Sequence, residues 1–184
     1  MTNTDRLILV TGPARSGKSE WAEALAKQSG RTVLYIATAQ LDPADQDWQA
    51  RIKRHQQRRP ANWVTHHVPI ELIKTIQDAS QANCLLVDSL GTWLANYLEQ
   101  DADCWSKTEQ YLLVSLKQTA SMVILVAEET GWGVIPAYPV GRQFRDRLGS
   151  LTRSIGAIAD TVYLVTAGHA LNLSTLGTPL PSQH

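Results

Sequence analysis

An apolar run, Leu7-Ile-Leu-Val-Thr11, leads directly into Gly12-Pro-Ala-Arg-Ser-Gly-Lys-Ser19. A helix-forming segment follows, with Trp21, Ala22, Leu25 and Ala26 at helical spacing. The octapeptide is a full match to G-x-x-x-x-G-K-[ST]. Strand, glycine-containing turn and helix in that order aim successive backbone N–H groups and a helix N-terminus at one point, which suits phosphate oxygens. Gly12 and Gly17 supply backbone freedom where a side chain would block the anion. In such a loop Lys18 reaches the β and γ phosphates and Ser19 ligates Mg²⁺, while Arg15 and Ser16 add donors beside Pro13 and Ala14. The competing reading is a strand-to-helix turn that binds nothing.

The rest of the chain fits this start. Further continuous apolar runs occur at 32–37, 84–87, 122–127 and 161–165. Runs without alternation are expected where both faces of a strand are covered, as in a parallel sheet. Helical patterns lie between them at 18–29, 45–57, 70–79, 90–98, 106–119 and 140–159, so the expected class is α/β. Residues 1–170 are expected to form one domain and 171–184, rich in Ser, Thr, Gly and Pro, a loosely held tail.

Composition narrows the function classes. Among 184 residues, 43% are hydrophobic and 18% charged, with seventeen basic residues balanced by seventeen acidic ones. That balance argues against disorder and against a generic nucleic-acid or anionic-membrane binder. Two cysteines without C-x-x-C spacing give neither a disulfide framework nor a metal pair, and no apolar run approaches the length of a spanning helix, so a cytoplasmic setting is expected. Eleven of the seventeen basic residues nonetheless fall in three segments: the glycine loop, 51–59 and 142–153.

Each segment carries candidate chemistry. Asp88 follows the run at 84–87, as a strand-end acid for Mg²⁺ should, or else it caps the helix that starts at Leu90. His55 sits in Arg51-Ile-Lys-Arg-His-Gln-Gln-Arg-Arg59, where an imidazole can attack phosphorus among arginines that neutralise phosphate. A solvated helix face is the alternative. Glu128 and Glu129 precede a glycine-flexed loop, where one of them can orient or deprotonate a hydroxyl, or both are surface acids. Arg142, Arg145, Arg147 and Arg153 suit a polyphosphate, a subunit contact or plain solubility. The six tryptophans read as core or interface, and the histidines show no zinc spacing.

With these residues placed, the chain resembles the bifunctional adenosylcobinamide kinase and adenosylcobinamide-phosphate guanylyltransferase family of cobalamin biosynthesis. The likeness rests on 9–19, Leu34-Tyr-Ile-Ala-Thr38, Ala50-Arg-Ile-Lys-Arg-His55, Arg59-Pro60 and Trp63-Val-Thr65. It continues through Leu86-Val-Asp-Ser-Leu-Gly-Thr-Trp-Leu94, Asn96, Glu129-Thr-Gly-Trp-Gly-Val-Ile-Pro136, Arg142-Gln-Phe-Arg-Asp146, Gly149 and Ala159-Asp160. It implies a P-loop NTPase-type, RecA-like three-layer domain, commonly in a ring-like trimer. It further implies two reactions. ATP or GTP phosphorylates the aminopropanol hydroxyl of the corrinoid, and GMP then passes from GTP through a guanylyl-histidine, which matches His55, to the corrinoid phosphate. The nucleotide contacts it implies are Gly12 to Ser19, Thr38, Ala39, Gln40, Gln56, Gln57, Arg58, Arg59, His67 and Asp88.

Three departures accompany the likeness. Arg54-His55 stands where some members have two histidines. His66-His67 replaces a glutamate, and Glu128-Glu129 and Thr152-Arg153 replace Asn-Glu and Asn-Gln. Two rival functions share the glycine loop: a small-molecule kinase without the transferase step, and a nucleotide switch, although no N-K-x-D motif is present.

Overall fold

A computed structural model of the protein describes residues 5–40 and 59–181. The helix expected at 45–57 lies outside the described residues. Among the described residues seven strands form one sheet in the order β3-β2-β4-β5-β1-β6-β7. They are β1 (Leu7–Gly12), β2 (Thr32–Ala37), β3 (Val64–His67), β4 (Asn83–Asp88), β5 (Met122–Glu128), β6 (Thr161–Thr166) and β7 (His169–Asn172). All neighbours pair in parallel except β6 and β7. The helices are α1 (Lys18–Gln28), α2 (Leu72–Asp78), α3 (Leu90–Ala95), α4 (Ala102–Gln118), α5 (Pro139–Gly156) and α6 (Leu173–Leu176).

The continuous apolar runs are strands, with β1, β4 and β5 buried on both faces and β2 and β6 buried in part. On β1, Leu7 and Leu9 face one core while Ile8 and Val10 face the other, as the two-residue period of a strand demands. The first core takes in Leu72 and Ile76 of α2, Leu90, Trp93 and Leu94 of α3, Trp105, Leu112 and Leu116 of α4, and Leu148, Leu151 and Ile155 of α5. The second core packs Ala22, Leu25 and Ala26 of α1 against Val33, Tyr35, Leu86, Ile124 and Val126. Helix, sheet and helix are the three layers expected from the sequence. No helix among the described residues is long and apolar enough to cross a membrane.

Several sequence expectations change. The short edge strands β3 and β7 carry no apolar run, since each has one neighbour and exposed residues. The tail expected from 171 instead begins as strand: Asn172 and Leu171 pair with Tyr163 and Leu164, and the Asn172 side chain accepts from the Thr175 N–H to start α6. The chain from 177 to 181 has no regular structure. Arg142 donates to the carbonyls of Pro136 (3.0 Å) and Ala137 (2.6 Å), and Arg147 to those of Tyr97 (3.1 Å) and Gln100 (2.6 Å). These two arginines tie loops to α5, which is neither the polyphosphate role nor the simple surface role open from the sequence. Trp93 and Trp105 lie in the core as expected, whereas Trp132 is exposed.

Candidate active site

The strand order reverses at β1. From there the chain moves to one side through β2, and later to the other through β6. Open parallel sheets bind ligands in the crevice at such a point, beyond the carboxyl ends of the strands. The pairing registers put Gly12 beside Glu128, Asp88 beside Ala37 and Ala37 beside His67. One edge of the sheet therefore collects the glycine loop, residues 38–40, His67, Asp88 and the two glutamates. The basic segment ends at the same edge with Arg59. His55, Gln56, Gln57 and Arg58 lie outside the described residues.

The loop has the geometry its sequence promised. Gly17 caps α1 in the left-handed region (φ 92°), a conformation available to glycine at no steric cost. Gly12 is required by close approach: a Cβ there would fall on the Val165 carbonyl oxygen and within 2.8 Å of Ser16 Oγ. Because the obstacle is backbone, Gly12→Ala should destabilise the fold by about 1–3 kcal/mol. Thermal melting should record this at about 2–4 °C per kcal/mol, with weaker nucleotide binding as the loop is displaced. Lys18 is buried, and its Nζ donates to the Pro13 carbonyl at 3.2 Å, which folds the amine back over the loop. Ser16 Oγ is buried with no hydrogen-bond partner among the described residues, a donor of the kind a phosphate oxygen would satisfy.

Asp88 faces the loop from β4. Its Oδ1 accepts from Ser19 Oγ at 3.4 Å and its Oδ2 from the Tyr35 hydroxyl at 2.6 Å. Hydroxyl and carboxylate converging from two elements offer the hard oxygen donors that Mg²⁺ prefers. The capping role that the sequence left open for Asp88 belongs instead to Ser89. Its Oγ accepts from the Thr92 N–H, and Thr92 Oγ1 accepts from the Ser89 N–H, which closes a capping box at α3. Burial, reinforced by the Asp88 charge, pushes the Tyr35 phenol far above its usual range, so it remains a donor.

The two glutamates separate by role. Glu128 accepts from Ser89 Oγ and, at 3.0 Å, from the Gly91 N–H, so its carboxylate clamps the start of α3 to β5. Glu129 turns to the loop: its N–H donates to the Gly12 carbonyl at 2.9 Å and its Oε1 accepts from Thr11 Oγ1 at 2.9 Å. Thr38 is fully buried. Its hydroxyl donates to the Ser89 carbonyl at 2.7 Å, accepts from the Ser89 N–H at 3.0 Å and meets Thr92 Oγ1 at 2.6 Å. It thus joins β2 to α3 inside the protein, and its hydroxyl is turned away from any ligand at the edge. Ala39 and Gln40 follow it at the edge, and His67 is exposed at the end of β3. Sequence reasoning assigned no role to Tyr35, to the Ser89–Thr92 box, or to Asn96, whose amide donates to the carbonyls of Thr38 and Pro69. A tyrosine inside an otherwise apolar strand was the available signal for the first, because a buried phenol needs a partner.

Comparison with known proteins identifies the family. A profile of the family described as cobinamide kinase / cobinamide phosphate guanyltransferase, CobU, matches residues 8–173. The bifunctional adenosylcobalamin biosynthesis protein CobP of Pseudomonas aeruginosa is 40% identical over 174 residues, covering 94% of this chain and 98% of that protein. The bifunctional adenosylcobalamin biosynthesis proteins CobU of Salmonella typhimurium and Escherichia coli are each 36% identical, covering 88% of this chain and 96% of theirs. Among solved structures, a prototypical ATPase from the type III secretion system of pathogenic bacteria superposes with a TM-score of 0.54 at 11% identity, over 94% of this chain and 53% of that one. A Pyrococcus horikoshii OT3 protein gives 0.53 at 8% identity, over 91% and 85%. At such identities the likeness is of fold alone, and it is the α/β fold expected from the glycine loop. By its profile match and by its relatives, the chain belongs to the CobU family, cobinamide kinase / cobinamide phosphate guanyltransferase.

Proposed function

We propose that the protein phosphorylates the aminopropanol hydroxyl of adenosylcobinamide with ATP or GTP and then transfers GMP from GTP to the resulting phosphate. The observation that carries this reading is the convergence of the glycine loop, Asp88 and Glu129 at one sheet edge in a chain of this family. In the first step the substrate hydroxyl oxygen attacks the γ phosphorus and the bond to the β–γ bridging oxygen breaks, releasing the nucleoside diphosphate. Glu129 orients the hydroxyl and takes its proton. Lys18 and the loop N–H groups hold the phosphates in line. Ser19 and Asp88 are the residues that would hold Mg²⁺, which when bound neutralises charge on the phosphate oxygens.

In the second step a ring nitrogen of His55 attacks the α phosphorus of GTP and pyrophosphate leaves. An oxygen of the corrinoid phosphate then displaces the imidazole, giving adenosylcobinamide-GDP. Gln56, Gln57, Arg58, Arg59 and His67 would contact the nucleotide in this step. Family membership also supports a homo-oligomer, such as a ring-like trimer, acting in the cytoplasm. The test uses two labels. γ-Labelled nucleotide should phosphorylate adenosylcobinamide, and α-labelled GTP should leave an acid-labile, base-stable adduct on the protein. Transfer without an adduct would leave a kinase alone, and failure of both would favour a nucleotide switch.

A further inference from the structure

We propose that Tyr35 is a positioning residue for the divalent cation of this site, fixing the Asp88 carboxylate so that its other oxygen faces Ser19. The inference rests on the reading of Ser19 and Asp88 as the cation's ligands and deepens it. Tyr35 lies on β2 opposite Leu86 of β4, so Asp88, two residues further on, is its diagonal neighbour on the same face. The Tyr35 hydroxyl donates to Asp88 Oδ2 at 2.6 Å, the short distance of a bond to a charged acceptor. Oδ1 is turned the other way, toward Ser19 Oγ at 3.4 Å. One oxygen held by a buried donor leaves the second with a single direction.

The ring is itself held. Tyr35 is 2% exposed, and the Arg59 guanidinium lies over its face, 3.3 Å from the ring centroid. Arg59 Nη1 donates to Thr65 Oγ1 at 3.1 Å, and Thr65 pairs with Tyr35 across β2 and β3. The phenol is therefore sandwiched between the sheet and a fixed cation, its hydroxyl aimed at Asp88. Tyr35 thus stands between Arg59, over its ring face, and Asp88, at its hydroxyl.

The experiment compares the parent, Tyr35→Phe and Asp88→Asn as full-length proteins with a non-hydrolysable GTP analogue. Bound Mn²⁺ is read by electron paramagnetic resonance, and binding of the analogue is measured separately in EDTA. Loss of a partner behind a metal ligand weakens metal affinity by about 10–100-fold. That loss is expected for Tyr35→Phe, with analogue binding in EDTA unchanged. Mn²⁺ affinity equal to the parent overturns the proposal. So does equal weakening of both readouts, or a variant that does not fold, since either makes Tyr35 a packing residue. If Asp88→Asn itself leaves Mn²⁺ affinity unchanged, the assignment of the cation to Asp88 falls, and the role of Tyr35 falls with it.

Discussion

Replacing His55 with alanine is expected to reduce the covalent GMP adduct and GMP transfer to the background level seen without protein, while phosphoryl transfer by the same preparation persists. The physical ground is that a nucleophile has no substitute: without the imidazole nitrogen no phosphorus–nitrogen bond forms, and the two-step route is closed. The groups proposed for phosphoryl transfer stand elsewhere in the sequence, with Lys18 and Ser19 at the start of α1, Asp88 at the end of β4 and Glu129 after β5. Denaturing electrophoresis after incubation with α-labelled GTP checks the adduct, and the γ-labelled assay checks that the protein is intact. An adduct of parental intensity on His55→Ala would move the nucleophile elsewhere in the chain.

Lys18→Ala should lower the turnover number of phosphoryl transfer by about 10²–10³-fold, or about 3–4 kcal/mol of transition-state stabilisation. The loss should fall on kcat more than on KM, because a fixed ammonium does most where charge develops between the β and γ phosphates. The residue is buried and already bent toward the loop through the Pro13 carbonyl, so little reorganisation is needed when phosphate arrives. Initial rates over a range of nucleotide concentration separate kcat from KM, with thermal melting as the control for folding. A variant with parental kcat would show that the loop binds phosphate without taking part in its transfer.

Much of the fold was legible because its signals are local. A strand covered by neighbours on both sides and by helices is largely apolar, and β1, β2, β4, β5 and β6 each occupy the run that announced them. Edge strands need no such run, which is why β3 and β7 were not expected. The same holds for the site. Gly12, Gly17, Lys18 and Ser19 lie within eight residues, so their spacing alone suggested the loop. The partners of Asp88, Glu128 and Glu129 are far away in the chain: Tyr35 lies 53 residues before Asp88, and Thr11 lies 118 before Glu129.

By itself the sequence determined that a phosphate-binding loop opens a parallel α/β sheet, that an acid follows the strand at 84–87, and that histidine and arginine cluster at 51–59. Tertiary structure alone decided which side chains meet. It turned Asp88 toward Ser19 and gave the helix cap to Ser89, made Glu128 a clamp and turned Glu129 toward the loop, and enclosed the Thr38 hydroxyl. It also brought a tyrosine of β2 onto the acid. The reason is geometric: periodicity along one chain segment fixes which face a residue occupies, whereas its partner across the sheet depends on lateral strand order, set when all seven strands pack together.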